Sequence, residues 1–170
     1  MSKSSPIAPT GVRHTFDEDV ILVSKTDTHG TIKYANPAFC QIAGYSEEEL
    51  LGQPHNIVRH PDMPRIVFKL LWEHIQSGHE FWGYVKNLSR DGGYYWVFAH
   101  VTPTFDTAGT IIGYHSDRRA PKESALAKVE QLYATLRKLE AQGGMAAAEA
   151  FLNDMLDKEG SRYDEFVFSL

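Results

Sequence analysis

Two imidazoles, a guanidinium, a carboxylate and a carboxamide fall within the stretch His55-Asn56-Ile57-Val58-Arg59-His60-Pro61-Asp62-Met63-Pro64. Pro61 and Pro64 deny this backbone a regular helix. Its side chains offer donors and acceptors that an ordinary solvent turn would take from Gly, Ser and Asn. The stretch reads as a loop that grips a polar or charged ligand. Two structural readings stand beside that one: an Arg59 to Asp62 ion pair bracing the loop, and Asp62 capping the helix that starts after Pro64. A metal site at His55, His60 and Asp62 is disfavoured, because no pair of histidines sits at helical ligand spacing and no thiolates accompany them.

The chain that must hold this loop has 170 residues, 42% of them hydrophobic and 23% charged, which suits one globular core with appendages. A net charge of −5 without a long basic block offers nucleic acid no electrostatic footprint. Residues 1–16 begin Ser/Pro-rich and are expected to form a flexible segment or cap. They contain no apolar signal core, and no later run approaches the roughly 18 apolar residues of a membrane span. A cytoplasmic protein is expected. The single cysteine, Cys40, cannot form an internal disulfide and sits in a helical pattern, so it reads as a buried structural residue.

Ahead of the loop, Val20 to Thr26 and Thr31 to Tyr34 read as strands joined by Asp27-Thr28-His29-Gly30. Asn36-Pro37 then predicts an N-cap and first helical residue for Ala38 to Ala43, with Gly44 closing it. Ser46 and Glu49 form a capping-box pattern for a second short helix ending near Gly52. Behind the loop, Ile66, Phe68, Leu70, Leu71, Trp72 and Ile75 mark a longer amphipathic helix stopped by Gly78. From Phe81 the pattern turns to strands: Phe81 to Leu88, Tyr94 to Thr104 and Thr110 to Arg118, with tight turns between them. The order ββαααβββ predicts an α+β domain with five antiparallel strands and the helices on one sheet face.

This order, with Tyr34-Ala35-Asn36-Pro37-Ala38-Phe39, Gly44-Tyr45-Ser46-Glu47-Glu48-Glu49-Leu50-Leu51-Gly52, Arg90-Asp91-Gly92 and Tyr95-Trp96-Val97, resembles the PAS fold over about residues 17–120. Gly52-Gln53-Pro54-His55-Asn56, Arg59 to Pro64, and Val85-Lys86-Asn87 further resemble the flavin-binding PAS sensors of bacterial aerotaxis receptors. The redox-sensing domain of nitrogen-fixation regulators is a more distant likeness. The resemblance implies FAD. An isoalloxazine edge alternates carbonyl and N–H groups, which a carboxamide such as Asn87 can match with one donor and one acceptor. By the same resemblance Trp72 packs beside the flavin, Ser24 touches its polar rim and Asn36 helps retain it, although Asn36 is already explained as a helix cap and Trp72 by ordinary core burial. Arg59, His60, Asp62 and Arg65 match the ligand-loop positions, where a cation suits a pyrophosphate or the charge of a reduced flavin.

The chain departs from that pattern at Phe81. Such sensors carry tryptophan two residues before the glycine that opens the Val-Lys-Asn strand, whereas here Trp82 is the neighbour, and alternation along a strand points it to the other face. The photoreactive-cysteine word of light-sensing PAS domains is absent, with Ile57-Val58-Arg59-His60 in its place. Residues 121–170 read as a helical extension. Val129, Leu132, Leu136 and Leu139 form a short heptad seam that serves either a homodimer or packing on the chain's own domain. Gly143-Gly144 interrupts it before Met145 to Lys158, and Tyr163, Phe166, Val167, Phe168 and Leu170 form an apolar tail.

The expected function is a redox or oxygen sensor that passes its signal to a chemotaxis-type or kinase-type partner. The alternatives are a PAS interaction module holding haem, with His60 or His74 as generic axial candidates, a small metabolite or nothing. No catalytic constellation supports an enzyme.

Overall fold

The computed structural model describes residues 6–170, and the order of elements is the one the sequence predicts. Strands β1 (Leu22–Thr26) and β2 (Ile32–Ala35) form the first hairpin, followed by helices α1 (Pro37–Ala43) and α2 (Glu47–Leu50). A single 3-10 turn, His55–Val58, occupies the polar loop before α3 (Arg65–Gln76). Strands β3 (Phe81–Leu88), β4 (Tyr94–Phe105) and β5 (Ile111–Arg119) complete one antiparallel sheet in the order β2-β1-β5-β4-β3.

Local chemistry sets the short elements. Asn36 caps α1 by accepting from Phe39 N at 3.0 Å, and the same Oδ1 accepts from Val23 N while Nδ2 donates to the Ile21 carbonyl. One carboxamide thus ties the helix start to β1. Gly44 ends α1 at φ 78°, a left-handed conformation that costs a Cβ-bearing residue about 1–2 kcal/mol. Ser46 and Glu49 form the reciprocal capping box on α2. The α3 helix lays Ile66, Val67 and Ile75 into the core against the inner sheet face, where Leu22, Tyr95 and Val97 are also buried.

The seam of the extension faces inward. Helix α4 (Glu123–Glu159) buries Val129, Tyr133 and Leu136 against the chain's own domain, and Leu132 and Leu139 are half-buried there. Tyr133 donates its hydroxyl to the Tyr84 carbonyl of β3, the edge strand. The helix therefore satisfies an acceptor that an open edge would leave to solvent or to another chain. Helical bonding runs through the expected interruption, but Gly144 (φ 74°, ψ −176°) leaves helical geometry and divides α4 into two arms. The apolar tail is itself helical: α5 (Tyr163–Phe168) stacks Tyr163 on Phe81 and sets Phe168 against Trp82 and Phe98.

Residues 6–16 are pinned to the start of β4. Thr10 N donates to Gly92 O, Tyr94 N to Val12 O and His14 N to Tyr94 O, all within 2.8 Å, and Arg13 forms a paired salt bridge with Glu123 of α4. The rest of the expected N-terminal segment, residues 1–5, lies outside the described residues. Cys40 is only half-buried in α1, and burial raises its thiol above the usual pKa.

Candidate functional site

A cavity of about 240 Å³ lies between α3 and the inner face of the sheet. Its walls are apolar: Phe68, Leu71, Trp72 and Ile75 come from α3, and Val85, Ala99, Val101 and Tyr114 from the strands. Their placement follows from two periods. Residues three and four apart share a helix face, and alternate residues share a strand face. The Trp72 indole meets Tyr114 edge-on at 5.6 Å between ring centroids. Gly30, in the β1–β2 turn at φ 83°, presses against the same indole, and an added Cβ would stand 3.2 Å from it. Ligand pockets run to about 300–1,000 Å³, so this volume suits a flat ring system with the remainder of a larger ligand running outward.

Polar groups enter at separate points. Asn87 of β3 faces the cavity, is 4% exposed, and has the buried hydroxyl of Tyr95 beside it. Arg118 of β5 enters from the far side at 2% exposure. Its Nη2 donates to Ser24 Oγ at 2.9 Å, its Nη1 lies 3.3 Å from His55 Nε2, and its guanidinium rests 4.2 Å over the Phe39 ring. Nε has no hydrogen-bond partner, and no carboxylate pairs with this cation among the described residues. Burial pushes its pKa down to about 10, with Tyr95 and Asp117 opposing the shift. A buried guanidinium without a counter-charge is expensive, which argues that the cavity is built for something bearing acceptors.

His55 completes this end. It stacks on Phe39 with ring planes 8° apart and shares a 2.8 Å contact with Ser24 Oγ. Burial, and then the Arg118 charge, push its pKa down to about 3. The neutral ring therefore offers Nε2 as an acceptor to its neighbours. The sign of the linked stability follows: below its ordinary pKa near 6.5, the unfolded chain takes up a proton that the folded chain refuses. Stability is present above pH 6.5 and is lost as pH falls toward 3. Urea unfolding at pH 7 and pH 5 should show His55→Gln losing less on acidification than the parent, by about 2 kcal/mol; parallel curves for the two proteins would rule the linkage out.

Of the residues singled out from sequence, Ser24, Arg59, Trp72 and Asn87 line this cavity together. Arg59 stands at its mouth with the guanidinium 3.9 Å over the Phe68 ring, and its backbone forms an antiparallel bridge with Asn87. Burial lowers its pKa. The structure does not bring Asn36, His60, Asp62 or Arg65 into the cavity. Asn36 is consumed by the backbone contacts of the α1 cap. His60 is buried, accepting Asp62 N at Nδ1 over the edge of Tyr94. Asp62 neither pairs with Arg59 nor caps α3; it bridges Lys86 at 3.1 Å and Arg137 at 3.2 Å. Arg65 reaches toward Glu140 at 3.7 Å. His60 and Arg65 share a shallow outer groove with Arg59, which thus borders both spaces. The strand alternation holds at the departure from the family pattern: Trp82 stacks on His100 at 3.8 Å, away from the cavity, while Phe81 turns toward Tyr163 and does not line it.

Arg118 was not legible as a site residue, and His55 was legible as a member of the polar loop and of the family motif but not as a residue of this cavity. A signal did exist. Tyr114, Ser116 and Arg118 alternate on one face of a strand that has neighbours on both sides, and a charge at such a buried register is rare without a purpose. Among the described residues no cluster of three or more metal-binding side chains occurs, and no helix is long and apolar enough to cross a membrane.

Known proteins share this frame. The PAS fold family model matches residues 32–116. The aerotaxis receptor of Escherichia coli (strain K12) is 43% identical over 119 residues, covering 70% of this chain and 23% of the receptor. The nitrogen fixation regulatory protein of Klebsiella pneumoniae is 33% identical over 99 residues, covering 58% of this chain and 20% of that protein. The chain thus spans about a quarter or less of these curated relatives. Among solved structures, a light-oxygen-voltage domain studied with a flavin analogue superposes with a TM-score of 0.58 at 20% identity, over 65% of this chain and 86% of that one. The dark structure of the blue-light photoreceptor Aureochrome1 LOV gives 0.56 at 24%, over 70% and 86%. Sheet order, helical layer and family match agree, and the chain belongs to the PAS family.

Proposed function

We propose that this PAS domain holds FAD non-covalently, with the isoalloxazine ring in the α3–sheet cavity, and acts in the cytoplasm as a redox or oxygen sensor. One observation carries the reading. An aromatic-walled slot presents the Asn87 carboxamide on one side and the Arg118 guanidinium, with an unanswered N–H, on another. That donor and acceptor set fits a ring whose edge alternates carbonyl and N–H groups. A bound flavin would supply reversible electron uptake; the chain's own residues would do the rest. Asn87, Arg118 and Ser24 would orient the ring, and Trp72 with its apolar neighbours would exclude water. Arg59, which borders both the cavity and the outer groove with His60 and Arg65, would meet the phosphates. Asp62, through Lys86 and Arg137, would hold the loop in place.

The names of the relatives support a sensory role, because aerotaxis and the regulation of nitrogen fixation both require reporting a chemical state rather than turning over a substrate. Sensing demands that two conformations bind the oxidised and reduced cofactor unequally, with about 1.4 kcal/mol needed per tenfold bias. The output would go to a chemotaxis-type or kinase-type partner. A homodimer would need a surface other than the Val129–Leu136 seam, which is already buried.

The test is spectroscopic. Purified protein stripped of any ligand, incubated with FAD and freed of excess, is expected to retain flavin absorption that bleaches under anaerobic reduction and returns on oxidation. Protein that retains no chromophore, or purifies with a haem Soret band, would refute the proposal.

A further inference from the structure

Helix α4 changes direction at a pair of glycines. Gly144 stands at φ 74° and ψ −176°, a backbone region essentially closed to residues that carry a Cβ. Gly143 is restricted for a different reason: a Cβ added there would lie 2.8 Å from the Ala147 Cβ. In an unbroken helix, residues four positions apart keep their Cβ atoms about 5–6 Å from each other. Both glycines are therefore required by the bend and by nothing in a straight helix, where each is a poorer choice than alanine. The chain is helical on either side of them. Resetting the dihedrals at Gly144 would turn the bent α4 into a single rod of 37 residues, about 55 Å long.

What the bend folds back is a unit. Residues 145–170 bury Ala148 and Leu152 of the second arm together with Tyr163 and Val167 of α5. The unit covers the edge strand β3, where Tyr163 stacks on Phe81 at 5.7 Å and Phe168 meets Trp82 at 5.0 Å. Its polar groups are matched as well. Glu149 takes Lys69 of α3 at 2.7 Å, the Tyr163 hydroxyl lies 3.2 Å from that of Tyr133, and Lys122 donates to the Leu170 carbonyl at 3.1 Å. Straightening α4 would uncover the unit and the strand edge together, leaving two aromatic surfaces in water.

We infer that Gly143-Gly144 is an exchange hinge, and that two copies of this chain join by docking residues 145–170 of each on the α3–β3 face of the other. A second copy fits that face because it brings the same rings, carboxylate and hydroxyl at the same spacing. The closed and exchanged states share these contacts and differ in the hinge and in the entropy of association, which rising concentration offsets. The Val129–Leu136 seam stays buried on its own domain in both states, so the exchange supplies the separate surface that a homodimer needs. No cofactor enters the argument, and the exchange stands or falls independently of the flavin reading.

The experiment uses the full chain and its Gly143→Ala/Gly144→Ala variant, each prepared in isotope-labelled and unlabelled form, mixed in equal amounts, unfolded in urea and refolded together. Mass is read by light scattering. A carbodiimide then joins Lys69 to Glu149, where amine and carboxylate touch. The variant is expected to run as a dimer, its dissociation constant lowered by about a thousandfold or more, because strain at Gly144 and helix propensity at both positions act in each chain. About half of its Lys69–Glu149 cross-linked peptides should pair a labelled with an unlabelled partner, as exchange between copies requires. A variant that stays monomeric, or a dimer whose cross-links each carry one label only, would overturn the exchange. If the variant fails to fold, the parent refolded at high concentration decides by the same peptides: mixed labels in a dimer support the hinge, and uniform labels or the lack of a dimer refute it.

Discussion

An Arg118→Met chain is expected to be more stable than the parent when no ligand is bound and to bind FAD less well. The opposing signs have one cause. Among the described residues Arg118 has donor contacts to Ser24 and His55 but no carboxylate, and its Nε is unanswered. Replacing a buried charge by an apolar side chain of similar reach is commonly neutral or stabilising by about 1–4 kcal/mol. Ser24 and His55 retain each other at 2.8 Å, so the substitution strands no polar group that the parent satisfies. Loss of a charged donor to the ligand should cost binding about 1.5–3 kcal/mol, roughly ten- to a hundredfold in affinity. Urea denaturation of ligand-free protein and FAD titration measure the two effects separately. A variant less stable than the parent would mark Arg118 as a structural strut and remove the argument that the cavity awaits an acceptor.

The second large effect is expected at Asn87. Its backbone is held by the β3–β4 ladder and by the bridge to Arg59, so Asn87→Ala should leave folding within about 1 kcal/mol of the parent. The carboxamide instead faces the cavity. Its removal would leave ring donors and acceptors buried and unanswered, at about 1–3 kcal/mol for each group. The expected loss is on the order of a hundredfold in FAD affinity with an unchanged thermal transition. Near-parental affinity in this variant would mean that the ring is read from elsewhere, and attention would move to Ser24 and Ser116.

The pair illustrates a division between function and stability. Arg118 is the member that the unliganded fold is expected to be more stable without, whereas Asn87 is expected to serve the ligand with little effect on stability. Phe39 shows how the fold tolerates Arg118. Its fully buried ring stacks on neutral His55 and lies beneath the Arg118 guanidinium, supplying an aromatic face to a cation that has no anion among the described residues.

Much of this was legible in the residues alone, for local reasons. Asn36, Gly44, Ser46 and Glu49 act within a few positions of themselves, so caps and turns were readable from spacing, as were the strands from alternation. Asn87 and Trp72 were legible through the family resemblance and do line the cavity. The loop was legible as polar, yet the fate of its charges was not. Asp62 is claimed by Lys86 and Arg137, which lie 24 and 75 positions further along, and no spacing rule reaches across such distances. The same holds for the seam on α4, where heptad spacing specifies an apolar stripe but cannot say which surface will bury it.

From the first strand to the last, the sequence by itself therefore determined the order of elements, their boundaries to within a residue or two, and the family, because these depend on propensities and periods that act over a single turn or strand; the run of α4 through Gly143 and the helix in the apolar tail were not foreseen. Only the tertiary structure decided that Arg118 and His55 meet Ser24 inside the cavity, and that Glu140 caps a helix begun 75 residues earlier. Burial and pairing are properties of what the fold brings together, and a side chain's energy there depends on neighbours that the chain order does not name.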